Sequence, residues 1–157
     1  MAEPYEEILE GETHLRHAPG PRHEKICGFL HQQVSAILAT NSTSRLLPPR
    51  SVVQLSPGTL IRPDLALVTA ANNRLWLAAE IIDSDDHRID TVLKKTIYED
   101  TSLPRLWMID PRYDNIEVYQ GGAYGLALQH ILATKEILTE TLLPGLSIAV
   151  ARLFNGA

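Results

Sequence analysis

A mixed α/β (α+β) fold, a β-sheet with helices packed on it, is what this sequence of 157 residues predicts. Three observations point there. An apolar helical period lies near the start, short apolar runs cut by prolines and glycines follow, and a nearly continuous apolar strand leads into a second helical period. The order helix, strands, helix, strands suits a sheet covered by helices. A closed βα barrel or a fully doubly wound sheet would need more alternating helices than the pattern holds.

The first twenty residues are polar and read as an arm with one short strand, closed by Ala18-Pro19-Gly20-Pro21. A helix follows from about Arg22 to Ala39, where Ile26, Leu30, Val34, Ile37 and Leu38 recur at three- and four-residue steps. Asn41 to Ser44 stops it. From Arg45 to Val68, Pro48-Pro49 and Pro57-Gly58 divide short apolar runs, the texture of strands joined by tight turns. Leu65 to Val68 reads as a strand starting just after Pro63, and Ala71-Asn72-Asn73 as a turn. Arg74 to Ile82 reads as a strand buried on both faces.

Asp83-Ser84-Asp85-Asp86 is a loop whose side chains suit a helix start, through free N–H groups and the positive end of the dipole. The helix from about His87 to Glu99 is expected to turn Ile89, Leu93 and Ile97 inward. Strands are expected at Leu106 to Ile109, Ile116 to Tyr119, Leu126 to Ile131 and Glu136 to Thr139, and a closing helix from Ser147 to Phe154. No repeat or linker divides residues 1–157, so a single domain is expected.

The charge of −5 argues against a protein that coats nucleic acid through Lys and Arg, but not against a nuclease with an acidic metal site. The one cysteine, Cys27, forms no intrachain disulfide, and the acidic start lacks the basic and apolar regions of a secretory signal. No apolar run approaches the roughly 20 residues of a membrane helix. A cytoplasmic protein without a membrane partner is the expectation.

Two carboxylates and a lysine on successive elements stand out. Asp64, after Pro63 at a strand start, reads as a turn cap or as a ligand. Glu80 lies within an apolar strand, where an ionised carboxylate is costly unless paired or metal-bound; the alternative is a solvated position at the sheet rim. Asp90, Lys94 and Tyr98 share a helix stripe, and a surface Asp–Lys pair there would contribute roughly 0.3–0.5 kcal/mol. The histidines show no metal-ligand spacing, Cys27 reads as a packed thiol, and no glycine-rich nucleotide loop is present.

The succession Arg62-Pro63-Asp64, Glu80-Ile81-Ile82, Asp90, Lys94 and Tyr98 at steps of four, then Pro104-Arg105-Leu106-Trp107-Met108-Ile109-Asp110-Pro111, resembles the Uma-type family of restriction endonucleases. That family belongs to the PD-(D/E)XK nuclease superfamily. Arg22-His23-Glu24, Ile116-Glu117-Val118-Tyr119 and Leu143-Pro144-Gly145-Leu146-Ser147-Ile148 extend the resemblance over nearly the whole chain. It implies a restriction-endonuclease-like mixed sheet flanked by helices. It also implies Mg²⁺, for which Mn²⁺ can substitute, bound by Asp64, Glu80 and the Ile81 carbonyl, with hydrolysis of DNA phosphodiester bonds.

The superfamily lysine stands two residues after the glutamate, where this chain has Ile82; members of this family place it on the following helix, which assigns the role to Lys94. The loop after the glutamate strand is Ser-Pro-Ser-Thr-like in the family and Asp83-Ser84-Asp85-Asp86 here. Glu24 and Asp83 are additional acidic candidates, each with a plainer reading as a helix-start residue. Arg62, Arg88 and Lys95 are candidate DNA-backbone contacts, and a homodimer could complete the DNA patch. The rival expectation is a weak or inactive nuclease-fold protein that serves as a binding module, and a third is a phosphodiesterase for RNA or small molecules.

Overall fold

The structure, a computed structural model, describes residues 3–40, 43–82 and 87–155. Strands β1 (Tyr5–Leu9) and β2 (Glu12–Arg16) form an antiparallel hairpin. Its two-residue loop, Glu10-Gly11, has φ of 52° and 85°, the positive pair that a right-twisting hairpin turn needs. The single strand expected in the polar arm is therefore two. Helix α1 (Pro21–Leu38) opens on a proline, whose missing N–H costs nothing in a first turn, and buries Ile26, Cys27, Leu30 and Val34.

Four strands follow: β3 (Ser44–Leu46), β4 (Val53–Ser56), β5 (Thr59–Ile61) and β6 (Leu65–Thr69). Strand β7 (Leu75–Ile81) is buried at every position, as a central strand with an unbroken apolar sequence should be. The second helix runs as a π-helical segment, Ile89–Lys94, into α2 (Lys95–Asp100). Strands β8 (Arg105–Asp110), β9 (Asn115–Gly122), β10 (Gly125–Leu132), β11 (Ile137–Leu138) and β12 (Ile148–Ala149) precede α3 (Val150–Asn155). The expected closing helix thus gives its first turn to a strand, because Ile137 and Leu138 pair with Ala149 and Ile148.

A six-stranded sheet in the order β10-β9-β8-β7-β6-β3 is the spine. Strands β7 and β8 are parallel, joined across the second helix, and the other pairs are antiparallel, so the sheet is mixed as predicted. One face packs Ile26, Leu30 and Val34 of α1 and Leu153 and Phe154 of α3 on Leu77, Ala79, Ile81 and Trp107. The other face meets Leu9 and Ile61 of a second sheet, ordered β2-β1-β5-β4, and Ile97 and Tyr98 of α2. Helices and the small sheet thereby cover both faces of the spine.

The helix after β7 departs from the sequence expectation. Ile89 and Leu93 are only half-buried, whereas Asp90, Lys94 and Tyr98 are enclosed. The polar stripe faces inward because partner charges wait for it on the hairpin. No helix among the described residues is long and apolar enough to cross a membrane.

Gly121 marks the tightest backbone approach, since a Cβ there would lie 2.3 Å from the Leu103 carbonyl oxygen. Gly121→Ala is expected to destabilise the fold by roughly 1–3 kcal/mol, because backbone atoms and not a flexible side chain would have to yield. Urea unfolding checks it; an unchanged midpoint would show that the β8–β9 edge can shift.

Candidate active site

The site starts from strand register. Leu65 pairs with Ala79 and Ala66 with Ala78, so one further step sets Asp64 opposite Glu80. Cross-strand neighbours on one face stand close enough for their side chains to share a site. Ala66 and Ala78, the next pair on that face, are small and buried. Asp64 is 3% exposed and Glu80 2%. The Ile81 amide donates to Asp64 Oδ2 at 2.8 Å, which ties the aspartate to the peptide unit following Glu80.

The second helix brings Lys94 onto this pair. Its ammonium is fully enclosed, 2.8 Å from Glu80 Oε2 and 2.7 Å from Glu7 Oε2. The Tyr98 hydroxyl donates to Glu80 Oε2 at 2.5 Å. The wide π-helical turn holds Asp90 and Lys94 together on the buried side, and such turns recur at functional sites.

Glu7 is the residue that sequence reasoning missed most completely. Its Oε1 accepts from Arg16 Nη1 at 2.5 Å, and its Oε2 accepts from the Arg62 amide at 2.7 Å besides meeting Lys94. Arg16 Nη2 in turn donates to Asp90 Oδ1 at 3.0 Å. A signal for it existed: Glu7 and Leu9 are buried alternate residues of a strand, and the following Glu-Gly pair can turn a hairpin.

Asp64 has its own set of partners on the α1 side. Arg50 Nη1 lies 3.1 Å from Oδ1 and His23 Nε2 3.4 Å from Oδ2. Glu24, the additional acidic candidate, is half-exposed and reaches the site through Arg50, whose Nη2 is 2.7 Å from Glu24 Oε1, and through His23, whose Nδ1 is 3.6 Å from the same oxygen. The Asp64 carbonyl is in contact with His31 Nε2 at 2.7 Å and accepts a long bond from the Cys27 thiol at 3.6 Å. Asp83 and the rest of the acidic loop, Asp83-Ser84-Asp85-Asp86, lie outside the described residues.

The residues expected as cationic DNA contacts fare unevenly. The Arg62 guanidinium is spent on the Glu6 and Arg50 carbonyls, and Lys95 lies 4.6 Å from the Tyr119 ring centroid. Arg88 is exposed.

Electrostatics follow from this enclosure. Burial pushes the Glu80 carboxyl up to about 8, with Asp90, Asp64 and Glu7 adding to the push and Lys94 opposing it. Burial also works against the charge of Asp64, yet the His23 bond, the Ile81 amide and Lys94 hold its carboxyl below the usual range. Lys94 keeps its proton against burial because Glu80, Glu7 and Asp90 surround it. Burial pushes the Cys27 thiol up to about 12, which makes it a packed thiol, not a nucleophile.

Among the described residues around Glu80 and Lys94, the buried carboxylates Glu7, Asp64, Glu80 and Asp90 face the buried cations Arg16 and Lys94, with Arg50 paired to Asp64 from its edge. Asp90 Oδ2 is buried with no hydrogen-bond partner among the described residues. No three His, Cys, Asp or Glu side chains among the described residues converge as a metal-ligand group. The oxygen-only donor set of Asp64, Glu80 and the Ile81 carbonyl nevertheless fits a hard divalent cation.

Residues 2–151 match the model of the Uma2 family, described as "Putative restriction endonuclease". A solved structure of a putative nuclease belonging to DUF820 from Anabaena variabilis superposes with a TM-score of 0.79 at 14% identity, covering 98% of this chain and 92% of that one. A cryo-EM structure of a DrdV–DNA complex aligns with 83% of this chain and 13% of that one, at 13% identity and a TM-score of 0.38. No curated protein matches the sequence. The first likeness establishes a fold shared with a nuclease-family structure.

Proposed function

The chain belongs to the Uma2 restriction-endonuclease family, and on that premise we propose that it is a divalent-metal-dependent nuclease cutting DNA phosphodiester bonds. The observation that carries this reading is the facing pair Asp64 and Glu80, enclosed on neighbouring strands with Lys94 2.8 Å from Glu80. Asp64, Glu80 and the Ile81 carbonyl would hold Mg²⁺ or Mn²⁺ through oxygen atoms. Bound there, the cation supplies polarisation of the phosphate and a lowered pKa for its water.

The protein's own residues do the rest. Lys94 is a fixed ammonium beside Glu80, placed to orient the attacking water and to offset negative charge that develops on the phosphate. Tyr98 and Glu7 hold Glu80 and Lys94 in position, so neither has to reorganise during the reaction. Exposed Arg88 is the remaining cationic candidate for the DNA backbone. With a charge of −5, binding should depend on a local patch and fall off with added salt.

One observation favours a second reading, a binding module without turnover. Arg50 and His23 already occupy the Asp64 carboxylate, and Lys94 and Tyr98 occupy Glu80 Oε2. Thermal unfolding with Mn²⁺ separates the two. At roughly 100-fold above Kd the cation should raise Tm by about 5–10 °C in the wild type. Asp64→Asn and Glu80→Gln should abolish that rise and the nicking of supercoiled plasmid together. An equal rise in both variants would remove the metal from this pair, and a wild-type rise without nicking would leave the binding module standing.

A further inference from the structure

Arg50 has a placement that the catalytic reading does not use. It sits in the loop before β4 with φ of 56°, a left-handed backbone that a non-glycine residue adopts only where its surroundings hold it. Those surroundings are the residues that lead into Asp64. The Arg50 amide donates to the Pro63 carbonyl at 3.0 Å, and the Arg50 carbonyl accepts from Arg62 Nη1 at 3.4 Å. The loop is thus fastened to the two residues preceding Asp64.

From that anchor the side chain, 16% exposed, spans two carboxylates from different elements. One end of its fork meets Asp64 Oδ1 at 3.1 Å and the other meets Glu24 Oε1 at 2.7 Å. A guanidinium matches two acceptors with a rigid planar fork and never gives up its charge, so it is a permanent cation between Glu24 and Asp64.

We propose that Arg50 is a resident counter-cation that competes with the divalent metal for Asp64 and so sets the metal affinity of the site. The inference rests on the reading of Asp64 as a metal ligand. Oδ1 has to turn its lone pairs from the guanidinium to the metal, and the positive charge of Arg50 repels the incoming ion over a few ångströms. Glu24 gives the displaced guanidinium somewhere to remain, so the loop need not unfold when Asp64 is released. A hydrogen bond between charged groups and a nearby like charge together predict a tenfold effect or larger.

Isothermal titration with Mn²⁺, without DNA, tests this on the wild type, Arg50→Met, Arg50→Lys and Asp64→Asn. Arg50→Met should bind Mn²⁺ about tenfold more tightly, equivalent to about 1.4 kcal/mol. Arg50→Lys keeps the charge but loses the fork, and should tighten binding by about threefold. Affinity unchanged or weaker in Arg50→Met, with binding lost in Asp64→Asn, overturns the proposal while sparing the metal site. Wild-type affinity in Asp64→Asn overturns the metal assignment itself. Should Arg50→Met fail to fold, Arg50→Lys decides, since no tightening there removes the competition.

Discussion

Lys94→Met is expected to lower the stability of the metal-free protein by about 3–5 kcal/mol and to abolish plasmid nicking. The fully enclosed ammonium is shared by Glu7 at 2.7 Å and Glu80 at 2.8 Å. Methionine preserves the unbranched shape, so the loss isolates the charge. Removing one member of a buried ion pair strands the other in a medium where it cannot be solvated. Here two carboxylates would lose their shared ammonium, Glu7 keeping Arg16 and the Arg62 amide and Glu80 keeping Tyr98, beside an Asp90 with one oxygen unpartnered among the described residues. Because total stability for a domain is about 5–15 kcal/mol, the variant should remain folded but unfold at markedly lower urea. Mn²⁺ should restore part of the loss by supplying positive charge to the same carboxylates. A variant as stable as the wild type would show that the carboxylates are neutralised in another way, and nicking at the wild-type rate would remove Lys94 from the mechanism.

Glu7→Ala should produce the second large effect, from a residue 87 positions before Lys94, its partner on the second helix. It removes acceptors from the Arg16 guanidinium, the Lys94 ammonium and the Arg62 amide at one stroke. The part-buried Arg62 amide would lose its acceptor at a cost of up to about 1–3 kcal/mol, and unpairing buried charges adds to it. The expected total is roughly 3–5 kcal/mol, with faster amide exchange along β1 and β2 as the hairpin loses its anchor. Glu7→Gln keeps the shape and one acceptor oxygen, so about half of that loss is expected. Equal exchange in wild type and Glu7→Ala would mean that the hairpin is held by Leu9 packing and its ladder alone.

Much of the scaffold was legible in the chain. The period of Ile26, Leu30 and Val34 marks α1, and the unbroken apolar run marks β7 as a central strand. Glu80 stood out because a charge in such a strand demands a partner, and the structure supplies two, Lys94 and Tyr98. The helix carrying Lys94 was legible, but its orientation was not. Ile89, Leu93 and Ile97 formed the better apolar stripe, and the stripe buried deepest is Asp90, Lys94 and Tyr98. A hydrophobic period registers transfer from water and is blind to a charge that meets its opposite inside the protein.

By itself, then, the sequence determined most of the elements and the mixed sheet, because these follow from local period, from turn chemistry and from the two-residue alternation of strands, whereas the facing of Asp64 with Glu80 came from the strand register. Only the tertiary structure decided that Lys94 is enclosed, that Glu7 and Arg16 of the hairpin complete its surroundings, and that Arg50 bridges Glu24 and Asp64. Buried ion pairs depend on distance in space, and the Arg16–Asp90 bond spans 74 positions of the chain. No periodicity in one segment carries the charge that another segment will bring to it.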